Sequence, residues 1–404
     1  MDTLSTSRDF IKLYLHHTGI SEIPEQFHLW SCLSLIASCV ADRVWIERHA
    51  DSKTAPNLYV FLLGASGVGK EKAINTAVRY VADHPLVNVY AGRATAPYLL
   101  DYMGRQEKKS DGTTGNVNSK LYFVTEELGM SVRSGDMAHD LITVMTKMYG
   151  GHDYPIKDGT RMHNTVVLRN PTVNWLAGTT EEWLFRSVDR DAIEGGFAPR
   201  VLCVRGHRDY TKRCPQVIYP KDYETVKAYL QERVQALTEI EGPFHLDPEA
   251  IAWHDQWYRS RQAPDDRQLQ PSFNRGDELL HKLSILIALS EWDHQAVYDV
   301  PPIITKAHMT RALGMLETVL MEMPEVLRLA SATPQTKNMD VVGEMIYKAR
   351  IIDRSNLTKK CATKGLDAKD VDRALMTLFQ QGVVEPGEPI PGSRAKIYKW
   401  VEKQ

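Results

Sequence analysis

Two hydrophobic rhythms divide the chain. Asn57 is followed by the unbroken apolar run Leu58-Tyr59-Val60-Phe61-Leu62-Leu63, the pattern that a strand buried on both faces requires. It leads into GASGVGKEKAINTAVRYVADH, a glycine-rich turn followed by helical spacing. LYFVTEE (121–127) and TVNWLAGTT (172–180) predict two more buried strands, and VLCVRG (201–206) a further one. Helical stretches at 136–149 and 181–189 intervene. Strands alternating with helices predict a parallel sheet in an α/β domain over residues 51–215.

Helical rhythm dominates elsewhere. Residues 1–50 read as mostly helical, with Phe27, Leu29, Trp30, Leu33, Leu35, Ile36 and Val40 crowding one side. Residues 216–328 predict a helical lid or bundle, and the polar, glycine-rich residues 104–119 an exposed loop. Small and polar residues make 329–336 the predicted linker. Residues 337–404 read as helix, helix, helix, hairpin, with Asp353 or Ser355 opening the second helix and Gly382 closing the third. That order predicts a winged helix.

Lysines and arginines number 49 against 51 aspartates and glutamates, a net charge of −2, and 43% of residues are apolar. This balance belongs to globular domains, two or three at this length, and excludes a disordered or collagen-like chain. A near-neutral chain holds a polyanion only if its basic residues are concentrated locally or multiplied by oligomerisation. From Lys337 to Gln404, 13 basic residues stand against 9 acidic ones, so the tail is basic and the rest acidic. A winged helix there reads equally as a DNA-contacting or a protein-contacting module.

The five cysteines (Cys32, Cys39, Cys203, Cys214 and Cys361) are scattered, with no CxxC pair, which supports neither a disulfide framework nor a zinc site. The opening MDTLSTSRDFIKLYLHH lacks the basic and apolar regions of a signal peptide. The apolar runs 29–41 and 280–292 are shorter than the ~18–20 residues a bilayer span needs. The expectation is a reduced, soluble, cytoplasmic protein with no membrane contact.

Gly64-Ala65-Ser66-Gly67-Val68-Gly69-Lys70 has the form GxxxxGK between a buried strand and a helix. Glycines let backbone N–H groups wrap a triphosphate, the helix presents its positive end, and Lys70 neutralises the β and γ oxygens. Gly64, Ser66, Gly67, Val68, Gly69, Lys70 and Glu71 are therefore the predicted ATP-binding residues. Glu71 stands where a Ser or Thr hydroxyl ordinarily ligates Mg2+. Its carboxylate either holds the metal, directly or through water, or weakens nucleotide binding and leaves a site that binds without hydrolysing.

Glu126 and Glu127, ending the second strand, supply an acidic pair. Glu126 is the candidate metal-orienting acid, and Glu127 the base that positions and polarises an attacking water. An ordinary strand-to-loop exit has the same appearance. Thr179, closing the third strand, is suited to hold that water or to sense the γ-phosphate.

The order of phosphate loop, acidic strand, polar strand end, GGFAPR and helical lid resembles that of the AAA+ ATPases. Within these, the chain is similar to the hexameric replicative helicases of phages and other mobile elements, related to the minichromosome maintenance helicases. The likeness rests on PNLYVFLLGASGVGK, LYFVTEELG, NPTVNWLAGTT with GGFAPR, and NRGDELLHKLSILIAL ahead of the terminal winged helix, and covers about residues 25–400.

The resemblance implies that Arg200 is an arginine finger completing a neighbouring subunit's ATP site, with Arg186 and Arg190 as runners-up. It implies that Arg275 is a second-sensor arginine acting on a γ-phosphate from an adjacent subunit. It equates residues 152–171, turning at Asp158-Gly159, with a hairpin that projects into the ring's channel. Lys157, Arg161 and His163 would then grip DNA. A solvated surface hairpin, and an Arg200 paired within its own domain, are the plain alternatives. Glu71, Glu126 in place of Asp, and an N-terminal region with no primase or zinc module depart from the family pattern.

The expectation is an α/β P-loop AAA+ core with a helical N-terminal region and lid and a C-terminal winged helix. Its function would be that of an ATP- and Mg2+-dependent DNA helicase, a self-associating ring of six on single-stranded or forked DNA, with a polymerase or primase as further partner. One rival is a nucleotide-switched replication initiator or helicase loader that does not unwind. Another is an AAA+ machine acting on protein or packaging DNA.

Overall fold

The computed structural model describes the chain except residues 1–7, 50–51, 109–113, 117, 129–135, 157–165, 182, 185–195, 213–217, 296–300, 327–333, 389–395 and 402–404. The chain divides into two units, Met1–Ala330 and Ser331–Gln404.

Two helices, α1 (Phe10–Thr18) and α2 (Glu25–Val40), open the first unit. Asp9 caps α1 by accepting the Ile11 N–H at 3.0 Å. From Phe27 to Val40 every residue of α2 is buried, so the expected one-sided apolar face is burial all round. Next, β1 (Val44–His49) pairs antiparallel with β2 (Ser52–Thr54), a pair that begins inside the region read as mostly helical. Val44 and Ile46 point inward while Glu47 is exposed, an alternation too short to register as a strand signal.

The central elements follow in chain order: β3 (Tyr59–Leu63), α3 (Lys70–Val78), β4 (Val89–Ala91), α4 (Ala96–Gly104), β5 (Gln106–Lys108), β6 (Thr114–Asn116) and β7 (Lys120–Thr125). Then come α5 (Asp136–Met148), β8 (Tyr154–Ile156), β9 (Val166–Leu168), β10 (Thr172–Thr179) and β11 (Val201–Arg205). The antiparallel pair β5–β6 lies where the sequence predicted only an exposed loop. In space β11, β3, β10, β7 and β4 form one five-stranded sheet, and every neighbouring pair is parallel. The expected parallel sheet is present. After β3 the chain crosses two strand positions to reach the edge strand β4, which makes the carboxyl end of β3 a topological switch point.

All five side chains of β3 are buried because helices or loops cover both faces. Val60 and Leu62 join Leu33 and Ile36 of α2 in one core. Phe61 joins Phe123, Trp175 and Phe197 in the other, and its ring meets Trp175 edge-on at 4.9 Å. The indole N–H of Trp175 donates to Thr125 Oγ1 at 3.1 Å, which locks β10 against β7. Burial of this class contributes about 1.5–3 kcal/mol per side chain.

Further along the unit lie the helices α6 (Tyr223–Glu239), α7 (Pro248–Ser260), α8 (Gln270–Glu291) and α9 (Lys306–Leu320). A short strand, β12 (Gly242–Phe244), breaks the predicted all-helical run and pairs parallel with β1. Among the described residues, no helix is long and apolar enough to cross a membrane.

The second unit runs α10 (Pro334–Ala349), β13 (Ile351–Asp353), α11 (Arg354–Ala362), α12 (Ala368–Gln380), β14 (Val384–Pro386) and β15 (Ile397–Trp400). The strands form an antiparallel sheet in the order β13-β15-β14, so β13 is an element the sequence reading lacked. Asp353 caps α11 by accepting the Asn356 N–H at 3.0 Å. Gly382 follows α12 in the left-handed region, with φ +68°.

Candidate functional site

At the carboxyl end of β3 the chain enters a tight loop. Gly67 and Gly69 take φ values of +80° and +100°, which side-chain-bearing residues resist. A Cβ on Gly69 would also lie 2.8 Å from Cγ1 of Ile23, so both conformation and space require glycine there. Gly69 precedes α3, whose first turn leaves its N–H groups facing the loop. The Lys70 ammonium folds over the loop and donates to the carbonyls of Gly64 and Ala65 at 2.6 and 2.8 Å. Partial burial lowers the Lys70 pKa, and the charge of Glu127 opposes that shift.

Strand register brings the acidic pair to the same edge. Thr179 lies opposite Leu63, and Ala177 opposite Thr125, so Glu126 and Glu127 leave β7 beside the end of β10. The resulting cleft, about 750 Å3, is lined by Ser66, Gly67, Gly69, Lys70, Glu71, Glu126, Glu127 and Thr179 from the sequence reading. Glu71, Glu126 and Glu127 are exposed. Thr179 is buried and donates from Oγ1 to the Thr180 carbonyl at 3.3 Å. Two expected ATP-binding residues stand apart: Gly64 and Val68 are absent from this lining. Val68 is turned inward, and its Cγ1 lies 2.9 Å from where a Cβ on Gly64 would be.

Further residues belong to this region. Lys72, Gly92 and Arg93 line the cleft. Arg93 follows β4, a three-residue strand with no readable apolar pattern, so nothing local marked it. Gly178 shapes the cleft from behind: a Cβ there would stand 2.5 Å from the Glu126 carbonyl and 3.4 Å from Cβ of Lys70. The small residues closing TVNWLAGTT carried that signal.

Arg200 and Arg275 lie elsewhere. Val201 pairs with Tyr59, so Arg200 stands at the amino end of the sheet. The span Tyr59–Leu63, roughly 13 Å at about 3.3 Å per residue, separates it from the glycine-rich loop. Both arginines line a second cleft of about 530 Å3, together with Arg48, Lys53, Lys147, His152 and Lys282, against Asp42 and Glu278. The Tyr149 ring is shared by three cations: the Arg200 and Arg275 guanidiniums lie 5.8 and 5.6 Å from its centre, and Lys282 Nζ 3.9 Å. Arg275 pairs with Glu278 at 2.8 Å, and Lys282 reaches Glu278 at 3.3 Å and Asn57 Oδ1 at 2.7 Å.

Arg200 donates to the Gly196 carbonyl, while its buried Nε finds no partner among the described residues. Burial lowers the Arg200 pKa, and the neighbouring Arg275 charge lowers it further. Burial also brings Lys282 down to about 8 against the pull of Glu278. For Glu278 burial acts upward, but Lys282 and Arg275 together hold its pKa below the ordinary value.

β8 and β9 pair antiparallel, with Ile156 opposite Val166, and flank the segment of the expected channel hairpin. Lys157, Arg161 and His163 fall outside the described residues, as do Arg186 and Arg190. Compared with known proteins, the chain matches no protein-family model and no curated sequence.

Proposed function

We propose that the chain is an ATP-dependent DNA helicase of the AAA+ type, acting as a self-assembled ring on single-stranded or forked DNA. One observation supports this reading: the residues proposed as catalytic are divided between two clefts at opposite strand ends of one sheet. Phosphate loop, Glu126, Glu127 and Thr179 occupy the carboxyl edge, and Arg200 with Arg275 the amino edge. A ring stacks the second cleft of one subunit on the first of its neighbour. The guanidiniums then meet the charge that develops on the transferring phosphoryl group.

The carboxyl-edge residues suit a nucleotide with Mg2+. Lys70, Lys72 and Arg93 offer positive charge to phosphate oxygens, and Gly67 and Gly69 let the backbone approach. Glu71 and Glu126 are oxygen donors of the kind Mg2+ prefers. Bound Mg2+ supplies charge neutralisation at the phosphate oxygens. Glu127 orients the water and accepts its proton.

In the same reading the second unit is a winged helix. The segment between β8 and β9 is a channel finger gripping DNA through Lys157, Arg161 and His163, and a polymerase or primase works alongside in the cytoplasm. The test is phosphate release stimulated by single-stranded DNA, together with displacement of a labelled strand from a fork. Absence of both would refute the helicase. A second reading, a nucleotide-switched initiator or loader, is favoured by Glu71, whose exposed carboxylate faces the phosphate cleft. Duplex binding without unwinding would decide for it.

A further inference from the structure

We propose that His254, Asp277 and His281 form a site for one divalent first-row metal ion of the zinc, cobalt or nickel type, clamping α7 to α8. Asp277 and His281 stand four residues apart on α8, hence on one face. His254 comes from α7. One ligand atom from each side chain lies within 4.8 Å of the others. His254 Nε2 is 2.7 Å from Asp277 Oδ1, and His281 Nδ1 is 3.3 Å from the same oxygen. The two imidazoles lie 4.7 Å apart, inclined at 67°. A tetrahedral ion with bonds of about 2.0–2.1 Å separates its ligand atoms by about 3.3–3.4 Å. Small side-chain rotations bring the three atoms to that spacing.

The donor set decides the class of ion. Two imidazole nitrogens and one carboxylate oxygen suit zinc, cobalt or nickel, whereas Mg2+ and Ca2+ require mostly oxygen. The surroundings hold the ligands in place. Arg48 occupies the other carboxylate oxygen, Oδ2, which leaves Oδ1 as the single oxygen facing both imidazoles. His281 Nδ1 lies 2.8 Å from the Asp277 carbonyl, so the ion takes this nitrogen by displacing that hydrogen bond and moving the ring proton to Nε2. Asp277 and His281 are mostly buried, while the His254 side chain is 21% exposed, which gives the ion an entry path and a water for its fourth position. The nearby cation Arg261 is held on the Phe273 ring, 4.1 Å from its centre, and donates to the Phe273 carbonyl. This proposal is independent of the ATPase reading.

The test uses the full chain, free of nucleotide and stripped with a chelator, titrated with Zn2+ by calorimetry and with Co2+ by visible absorption. One ion per chain is expected, with a rise in Tm on adding zinc. His254→Gln keeps a donor to Asp277 but loses the imidazole. It should fold as the parent does without metal and bind at least about tenfold more weakly. Glu126→Gln should bind as the parent does. The proposal fails if the parent binds no ion at stoichiometric concentration, or if His254→Gln binds unchanged. It also fails if Glu126→Gln is the variant that loses the ion.

Discussion

The Gly64 N–H donates to the carbonyl of Thr179 at 3.3 Å. The first residue of the glycine-rich loop therefore hangs from the last residue of β10, and the spacing of these strand ends sets the loop's position. Gly178→Ala forces a Cβ to within 2.5 Å of the Glu126 carbonyl, with backbone rather than a flexible side chain in the way. Overpacking of this kind costs about 1–3 kcal/mol. Thermal denaturation should register that loss, and ATP turnover should drop at least about tenfold. Parental turnover and Tm in this variant would show that the strand ends can part freely.

Lys70→Ala, Glu127→Gln and Arg200→Ala should each reduce phosphate release by about 100-fold or more. Glu127→Gln and Arg200→Ala should still bind nucleotide, measured with a fluorescent analogue. Mixing Arg200→Ala with Lys70→Ala subunits should restore part of the turnover, because each kind supplies what the other lacks. Turnover surviving all three changes would end the proposed mechanism.

Tyr149 tests how the arginines are held. Its hydroxyl has no hydrogen-bond partner among the described residues, so Tyr149→Phe keeps the ring at little cost. Tyr149→Ala removes the surface shared by Arg200, Arg275 and Lys282. Relative to Tyr149→Phe, it should lower kcat about tenfold with little change in KM. Equal kinetics for the two variants would assign the ring a packing role only.

His28 predicts a pH dependence of stability. Burial in α2 presses its pKa to about 4, below the ordinary 6.5 or so. The folded state thus keeps this imidazole neutral while the unfolded chain protonates it. Stability is full above about pH 6.5 and falls by up to about 3 kcal/mol as the pH drops towards 4. Urea denaturation across that range should show a shallower decline for His28→Gln, and identical slopes would remove His28 as the cause.

Legibility in the sequence followed burial. β3, β7 and β10 are buried along nearly their whole length, and their unbroken apolar runs announced a parallel sheet. The edge strand β4 spans only three half-exposed or exposed residues, so no hydrophobic period could reveal it, and Arg93 went unread with it. The tight loop before α3 was readable because its glycines and lysine fall within seven consecutive positions. The meeting of Arg200 and Arg275 at the Tyr149 ring joins three distant stretches, a relation only the fold supplies. His254, Asp277 and His281 escaped for the same reason: inside RGDELLHKL the last two looked like ordinary polar positions of a lid helix.

Lys282 is almost wholly enclosed, and its ammonium sits on the backbone and side-chain oxygens of Asn57 at 3.2 and 2.7 Å. Asn57 leads directly into the strand whose far tip carries the glycine-rich loop. The five buried residues of β3 thus form a single tether, anchored at its root to α8 through Lys282 and at its tip to the loop before α3.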